Sequence, residues 1–167
     1  MAVTLRVELD DIGAIAAMDH AAHRGEDMSD LMDQIGVVLV SGAVERIGIT
    51  NVSPDGVPWP KSLRATLAQG GPTLHDSGRL MRSITHLPAS REVEIGSNLI
   101  YAGVHQTGAT IRAKTAKGLS FTLASGDRVV VGSVTLPPRP YLGISDEEAD
   151  EIEGLAAAWF GEPMEAT

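Results

Sequence analysis

Cysteine is missing from the 167 residues. Without it there is no disulfide scaffold, no thiolate metal site and no cysteine nucleophile. Aromatic residues are scarce, two each of Trp, Tyr and Phe. Large rings supply much of the buried area of a small domain. A chain with so few takes its apolar bulk from Ala, Val, Ile and Leu, and subunit contacts are a natural way to extend its burial. Basic residues are outnumbered: 13 Lys and Arg face 22 Asp and Glu, for a formal net charge of −9. That balance argues against a protein held to nucleic acid by a basic face. No apolar run is long enough to cross a bilayer. The start, Met1-Ala2-Val3-Thr4-Leu5, lacks the basic-then-apolar order of a secretory signal. The expectation is an acidic, soluble protein made inside the cell, with no membrane association.

Apolar residues make up 43% of the chain and charged residues 21%, which suits a folded domain rather than a disordered chain. Residues 4–9 alternate, with Val3, Leu5, Val7 and Leu9 on one face, and read as a short half-buried strand. An Ala-rich helix is predicted over 12–23, capped by Asp10 or Asp11. A second helix over 29–47 carries one stripe of Leu31, Ile35, Val38, Leu39 and Gly42, and another of Val37, Val40, Val44 and Ile47. A helix apolar nearly all round is covered on more than one side. The second cover is either a neighbouring subunit or the chain's own sheet.

Asn51, Pro54, Asp55-Gly56, Pro58 and Pro60 mark a turn-rich loop around Trp59, followed by a short helix over 61–69. Asp76-Ser77-Gly78 reads as a turn or cap. The second half is β-rich: a strand over 91–96, then Leu119, Phe121 and Leu123 alternating before a Ser125-Gly126-Asp127 turn and a long strand over 128–136. Residues 103–108 read as a packed turn, and 112–128 as a mobile loop. Pro137-Pro138-Arg139-Pro140 imposes an extended path. A terminal helix follows, with Ser145 and Glu148 as a capping box and Ile152, Leu155, Ala156 and Trp159 on its apolar face. The expected fold is α+β: a small antiparallel sheet packed by N-terminal helices, with an extended arm and a C-terminal helix over about 137–161.

Catalytic patterns are sparse. His20 and His23 lie three apart beside Asp19, a spacing that presents two imidazoles on one helix face, but no third ligand stands at motif spacing. His75, Asp76 and Ser77 are consecutive, whereas a triad converges from separate segments. The carboxylate pairs at Glu147 and Glu148, and at Asp150 and Glu151, are expected on an exposed helix face rather than across a cleft. No nucleophile elbow, P-loop or dinucleotide fingerprint occurs. Neither a metal nor a cofactor is implied. The one basic cluster is Arg112, Lys114 and Lys117. It reads as a solvated loop, or as a surface for an acidic neighbour.

Several segments, read in order, form a pattern. They are Asp55-Gly56-Val57-Pro58-Trp59, then Asp76-Ser77-Gly78-Arg79-Leu80 with Ser83-Ile84, then Ile95-Gly96-Ser97 with Tyr101-Ala102, then His105-Gln106-Thr107-Gly108, and last Pro138-Arg139-Pro140-Tyr141-Leu142-Gly143. This order resembles the phage virion morphogenesis, or tail-completion, family of Mu-like phages. Ser77 stands where that family usually has Thr, Thr107 where it has Phe, and Tyr141 where it has Phe. The resemblance implies a single structural domain over 1–167, acting without catalysis in the virion at the head–tail junction after assembly in the host cytoplasm. It implies a homo-oligomeric ring, a hexamer by analogy with tail tubes. The ring would contact neck, adaptor and tail-tube proteins, and packaged DNA would pass through its lumen without specific binding. Tail terminator and head-completion stopper are the alternatives within that class. A hydrolase or metal enzyme using His20, His23, His75 or His105 is the alternative outside it. For the ring, Trp59, Tyr101, His105, Arg112, Lys114, Lys117, Arg139, Pro140 and Tyr141 are the expected contact residues, Trp59 having a core role as its other reading.

Overall fold

The computed structural model describes residues 3–8, 27–67, 71–123 and 125–160. The helix expected over 12–23, with His20 and His23, lies outside the described residues.

The main sheet has three antiparallel strands in the order β1–β3–β2: β1 (Val3–Glu8), β2 (Ile84–Pro88) and β3 (Glu92–Ser97). Strand β3 is central, placing Ile95 between Leu5 and His86. Its Val93, Ile95 and Ser97 are buried while Glu94 is exposed, the period-2 pattern of a half-covered sheet. On the buried face lies helix α1 (Ser29–Glu45), with Leu31, Met32, Ile35, Leu39 and Ala43 in the core. Each fully buried Leu or Ile contributes about 1.5–3 kcal/mol. The C-terminal helix α4 (Asp146–Phe160) packs against the other side of α1 through Ile152 and Ala156. The chain's own sheet and last helix therefore supply both covers of α1. Val37, in its second apolar stripe, remains 52% exposed.

Helix α1 runs on through a wider turn (Arg46–Thr50), closed where the Asn51 N–H donates to the Arg46 carbonyl at 3.0 Å. Asn51 takes the left-handed conformation, φ 56°, a position that tolerates Asn. A short helix α2 (Leu63–Leu67) follows the Trp59 loop. Asp76-Ser77-Gly78 is a turn and not a side-chain cap. Arg64 donates to the His75 carbonyl at 2.6 Å and Arg82 to the Ser77 carbonyl at 2.7 Å, and the 3-10 turn Met81–Ser83 has no side-chain cap.

Three elements exceed the expectation. Strand β2 hides its pattern, because Leu87 faces out and His86 turns inward over Gly36 of α1, its Nε2 2.8 Å from Asp33 Oδ1. Helix α3 (Ala102–Thr107) replaces the expected packed turn, and β4 (Ala109–Arg112) follows it. The strand expected over 128–136 is two strands, β6 (Arg128–Val131) and β7 (Ser133–Leu136), broken by a bend at Gly132. The halves take different partners: β6 pairs with β5 (Leu119–Thr122), β7 with β4. The result is a β-ribbon over 109–136, whose strands make their principal contacts with one another. Its outer hairpin is the one expected around 125–127.

Candidate functional site

The arm after β7 binds the motif segments together. It crosses the Trp59 loop first: Trp59 Nε1 donates to the Pro140 carbonyl at 3.1 Å, and Arg139 Nε donates to the Pro60 carbonyl at 2.8 Å. It next meets α3. The Arg139 N–H donates to the His105 carbonyl at 2.8 Å. Gln106 Oε1 accepts the N–H groups of Tyr141 and Leu142 at 3.0 and 3.1 Å, while Gln106 Nε2 donates to the Leu142 carbonyl at 2.8 Å. One amide side chain thus satisfies three backbone groups of a segment that belongs to no sheet, and buried backbone groups need such partners. The Tyr141 hydroxyl donates to the Ala102 carbonyl at 3.2 Å. Gly108, φ 73°, lets the chain turn from α3 into β4. A Cβ there would lie 2.8 Å from the nitrogen of Pro138 and 2.9 Å from the Leu136 carbonyl.

The arm then reaches Arg46 at the end of α1. Arg46 Nε donates to the Tyr141 carbonyl at 3.0 Å, Nη2 to the Gly143 carbonyl at 3.1 Å and Nη1 to Glu148 Oε2 at 2.9 Å. That same Oε2 accepts the Ser145 N–H at 2.7 Å, and Ser145 Oγ accepts the Glu148 N–H at 3.3 Å. This is the capping box read from the sequence, with a buried cation added. Glu148 is consequently buried, not on the exposed helix face where the sequence placed it. Its Oε1 has no hydrogen-bond partner among the described residues and lies where a Cβ on Gly42 would be. Gly42 is what admits the start of α4 to α1 so closely.

The other motif segments are joined in the same manner. Ser83 Oγ donates to the Leu80 carbonyl at 2.6 Å and lies 2.7 Å from Ser97 Oγ, which accepts the Leu99 N–H at 3.2 Å. Ser53, before Asp55-Gly56, bonds with Val57 through both backbone and hydroxyl.

The expected contact residues divide into two groups. Trp59, Arg139 and Tyr141 are buried, so in this fold their side chains join segments of one chain rather than form an outer surface. Pro140 is half-buried beside them. Tyr101 is 40% exposed and sets its ring edge against His105, with centroids 6.0 Å apart and planes at 81°. His105 Nδ1 is buried with no hydrogen-bond partner among the described residues. Burial, and then the charge of Arg139, hold the His105 imidazole below its usual pKa, favouring the neutral ring. Burial, with a smaller effect from Tyr101, pushes the Tyr141 phenol up to about 12. Arg112, Lys114 and Lys117 are exposed on the ribbon. The sequence reading missed Arg46, Gln106 and Glu148 as connecting residues. Arg46, next to Glu45 in the otherwise uncharged stretch over 42–49, was the available signal.

Two concavities flank the arm. An apolar groove of about 670 Å³ lies between the ribbon (Ile111, Phe121, Val134) and residues 61–64 and 73–74. A second cleft, of about 490 Å³, has Glu45, Asp55, Asp146 and Glu147 among its lining residues with Arg46. Among the described residues no group of three His, Asp or Glu is arranged to hold a metal ion, and no helix is long and apolar enough to cross a membrane.

Residues 10–161 match the phage virion morphogenesis family. The chain belongs to that family. No curated protein and no solved structure matches it. Family membership makes it a phage structural and assembly protein, a virion component. In this virion morphogenesis protein the ordered motifs stabilise a fold: each segment that carries the resemblance is hydrogen-bonded to another part of the same chain.

Proposed function

We propose that this virion protein is a ring subunit at the head–tail junction, where it completes the tail and joins it to the head. The observation that carries the reading is the division of labour in the molecule. The motif segments are joined to the arm or to one another within the chain, while the 109–136 ribbon extends from the core with Ile111 and Val130, 42% and 57% exposed, available to neighbours. An arm or ribbon reaching an adjoining copy is how a head-to-tail contact closes into a ring. A hexamer matches the symmetry of a tail tube, and neck, adaptor and tube proteins are the adjoining layers. A net charge of −9 disfavours adhesion of the ring to DNA passing its lumen. The subunit does this by contact alone, with no substrate turned over. Negative-stain images of particles made without the protein are expected to show separate heads and tails. Normally joined particles would refute the reading.

A further inference from the structure

Charge is distributed unevenly over the molecule. The ribbon carries Arg112, Lys114, Lys117 and Arg128 against one carboxylate, Asp127, in a chain whose net charge is −9. Helix α4 has no basic residue and exposes Asp146, Glu147, Asp150, Glu151 and Glu153. The ribbon cations make no ion pair among the described residues, and neither do these five carboxylates. The two surfaces lie at opposite ends of one arm. Pro137 and Arg139 line the groove beside the ribbon, whereas Ser145 and Asp146 line the cleft at the start of α4.

We propose that the ribbon is the docking face for a second copy of this chain, its cations seated on the acidic outer face of that copy's α4. This inference rests on the ring reading and names its contact. Complementary surfaces at two different places on one subunit make a heterologous contact, so each added copy leaves one basic and one acidic face free until the ring closes. Apolar surface is present to be covered in the same contact, since Ile111 and Leu63 at the groove are exposed by 42% and 66%, and Val130 elsewhere on the ribbon by 57%. Like charges repel in the alternative pairings, ribbon on ribbon and helix on helix, which selects the head-to-tail arrangement. The contact weakens with salt, as exposed charge pairs are screened.

Sedimentation of the full chain over a range of concentrations, at low and high ionic strength, tests the proposal. Two charge reversals are compared: K114E with K117E on the ribbon, and D150K with E151K on α4. All four side chains are exposed, so circular dichroism should show each variant folded. Association is expected at low ionic strength, weakened roughly tenfold or more by either reversal, since two attractive pairs become repulsive. It should return when the two variants are mixed or combined in one chain. Association that ignores both reversals overturns this interface and leaves the ring reading standing. A wild-type chain that stays monomeric at low ionic strength at every concentration also overturns it, and the particle images then decide the ring reading separately.

Discussion

Arg46 joins the end of α1 to the arm and to the start of α4. Its guanidinium holds two carbonyls of the arm and the carboxylate of the capping box, and both Arg46 and Glu148 are buried. Removing one partner of a buried pair strands the other charge, a loss of about 3–5 kcal/mol. Arg46→Ala should show that loss in urea unfolding. Arg46→Met combined with Glu148→Gln should lose less, because no charge is left unpaired. Tyr141 gives a pH signature. Its phenol titrates at about 12 in the fold, above its ordinary value of 10. The unfolded chain therefore releases that proton first. The stabilisation is complete below pH 10 and is lost as pH rises toward 12. Tyr141→Phe should flatten the alkaline fall of the melting temperature while costing only about 1 kcal/mol for the bond to the Ala102 carbonyl. His105 acts at the other end. Its pKa is lowered in the fold, so stability present above the ordinary value of 6.5 is lost as pH falls through the lowered one. His105→Phe should remove that acid slope from a series of thermal melts.

At the scale of elements, the arm owes its position to α3, and α3 acts chiefly through Gln106. Three hydrogen bonds at about 1 kcal/mol each make Gln106→Ala a loss of roughly 3 kcal/mol, readable by chemical denaturation. The small size of Gly42 governs the approach of α1 to α4. Gly42→Ala should cost about 1–3 kcal/mol through overpacking, although alanine is the better helix former, and a melt is enough to measure it. Helix α4 and strand β3 were legible in the sequence because each buries one face at its own period, α1 because its apolar stripes recur at helical spacing, and the outer hairpin because alternating apolar residues flank a Ser125-Gly126-Asp127 turn. Strand β2 was not, since a histidine lies inward and a leucine outward, an inversion that only the fit of His86 over Gly36 explains. Helix α3 and strand β4 were too short, at six and four residues, for periodicity to register. The break at Gly132 was hidden because Val131 and Val134 continue the β-branched run across it.

For the whole molecule, the motif segments were legible and their work was not. Arg46 and Glu148 are 102 positions apart, and Gln106 and Leu142 are 36 apart. No local pattern announces a pairing at such range. The residue types expected at an outer contact, Trp, Tyr and Arg, are also the types that join a core when a backbone carbonyl is within reach, as Pro140, Ala102 and Pro60 show for Trp59, Tyr141 and Arg139. What the sequence did show was the basic cluster, and it is that cluster which the fold leaves on the surface. The architecture sets α1 and β3, covered on both sides or central in the sheet, against a two-stranded ribbon with neither face fully covered. Local opening follows burial and backbone exposure. In hydrogen exchange of the free chain, amides of α1 and β3 should be the slowest, with those of β5 and β6 faster by two or more orders of magnitude. On assembly, the ribbon amides should slow and the core amides should stay as they were. Uniform protection in the free chain would mean that the ribbon already has a partner within the molecule, and would remove it as the surface through which copies meet.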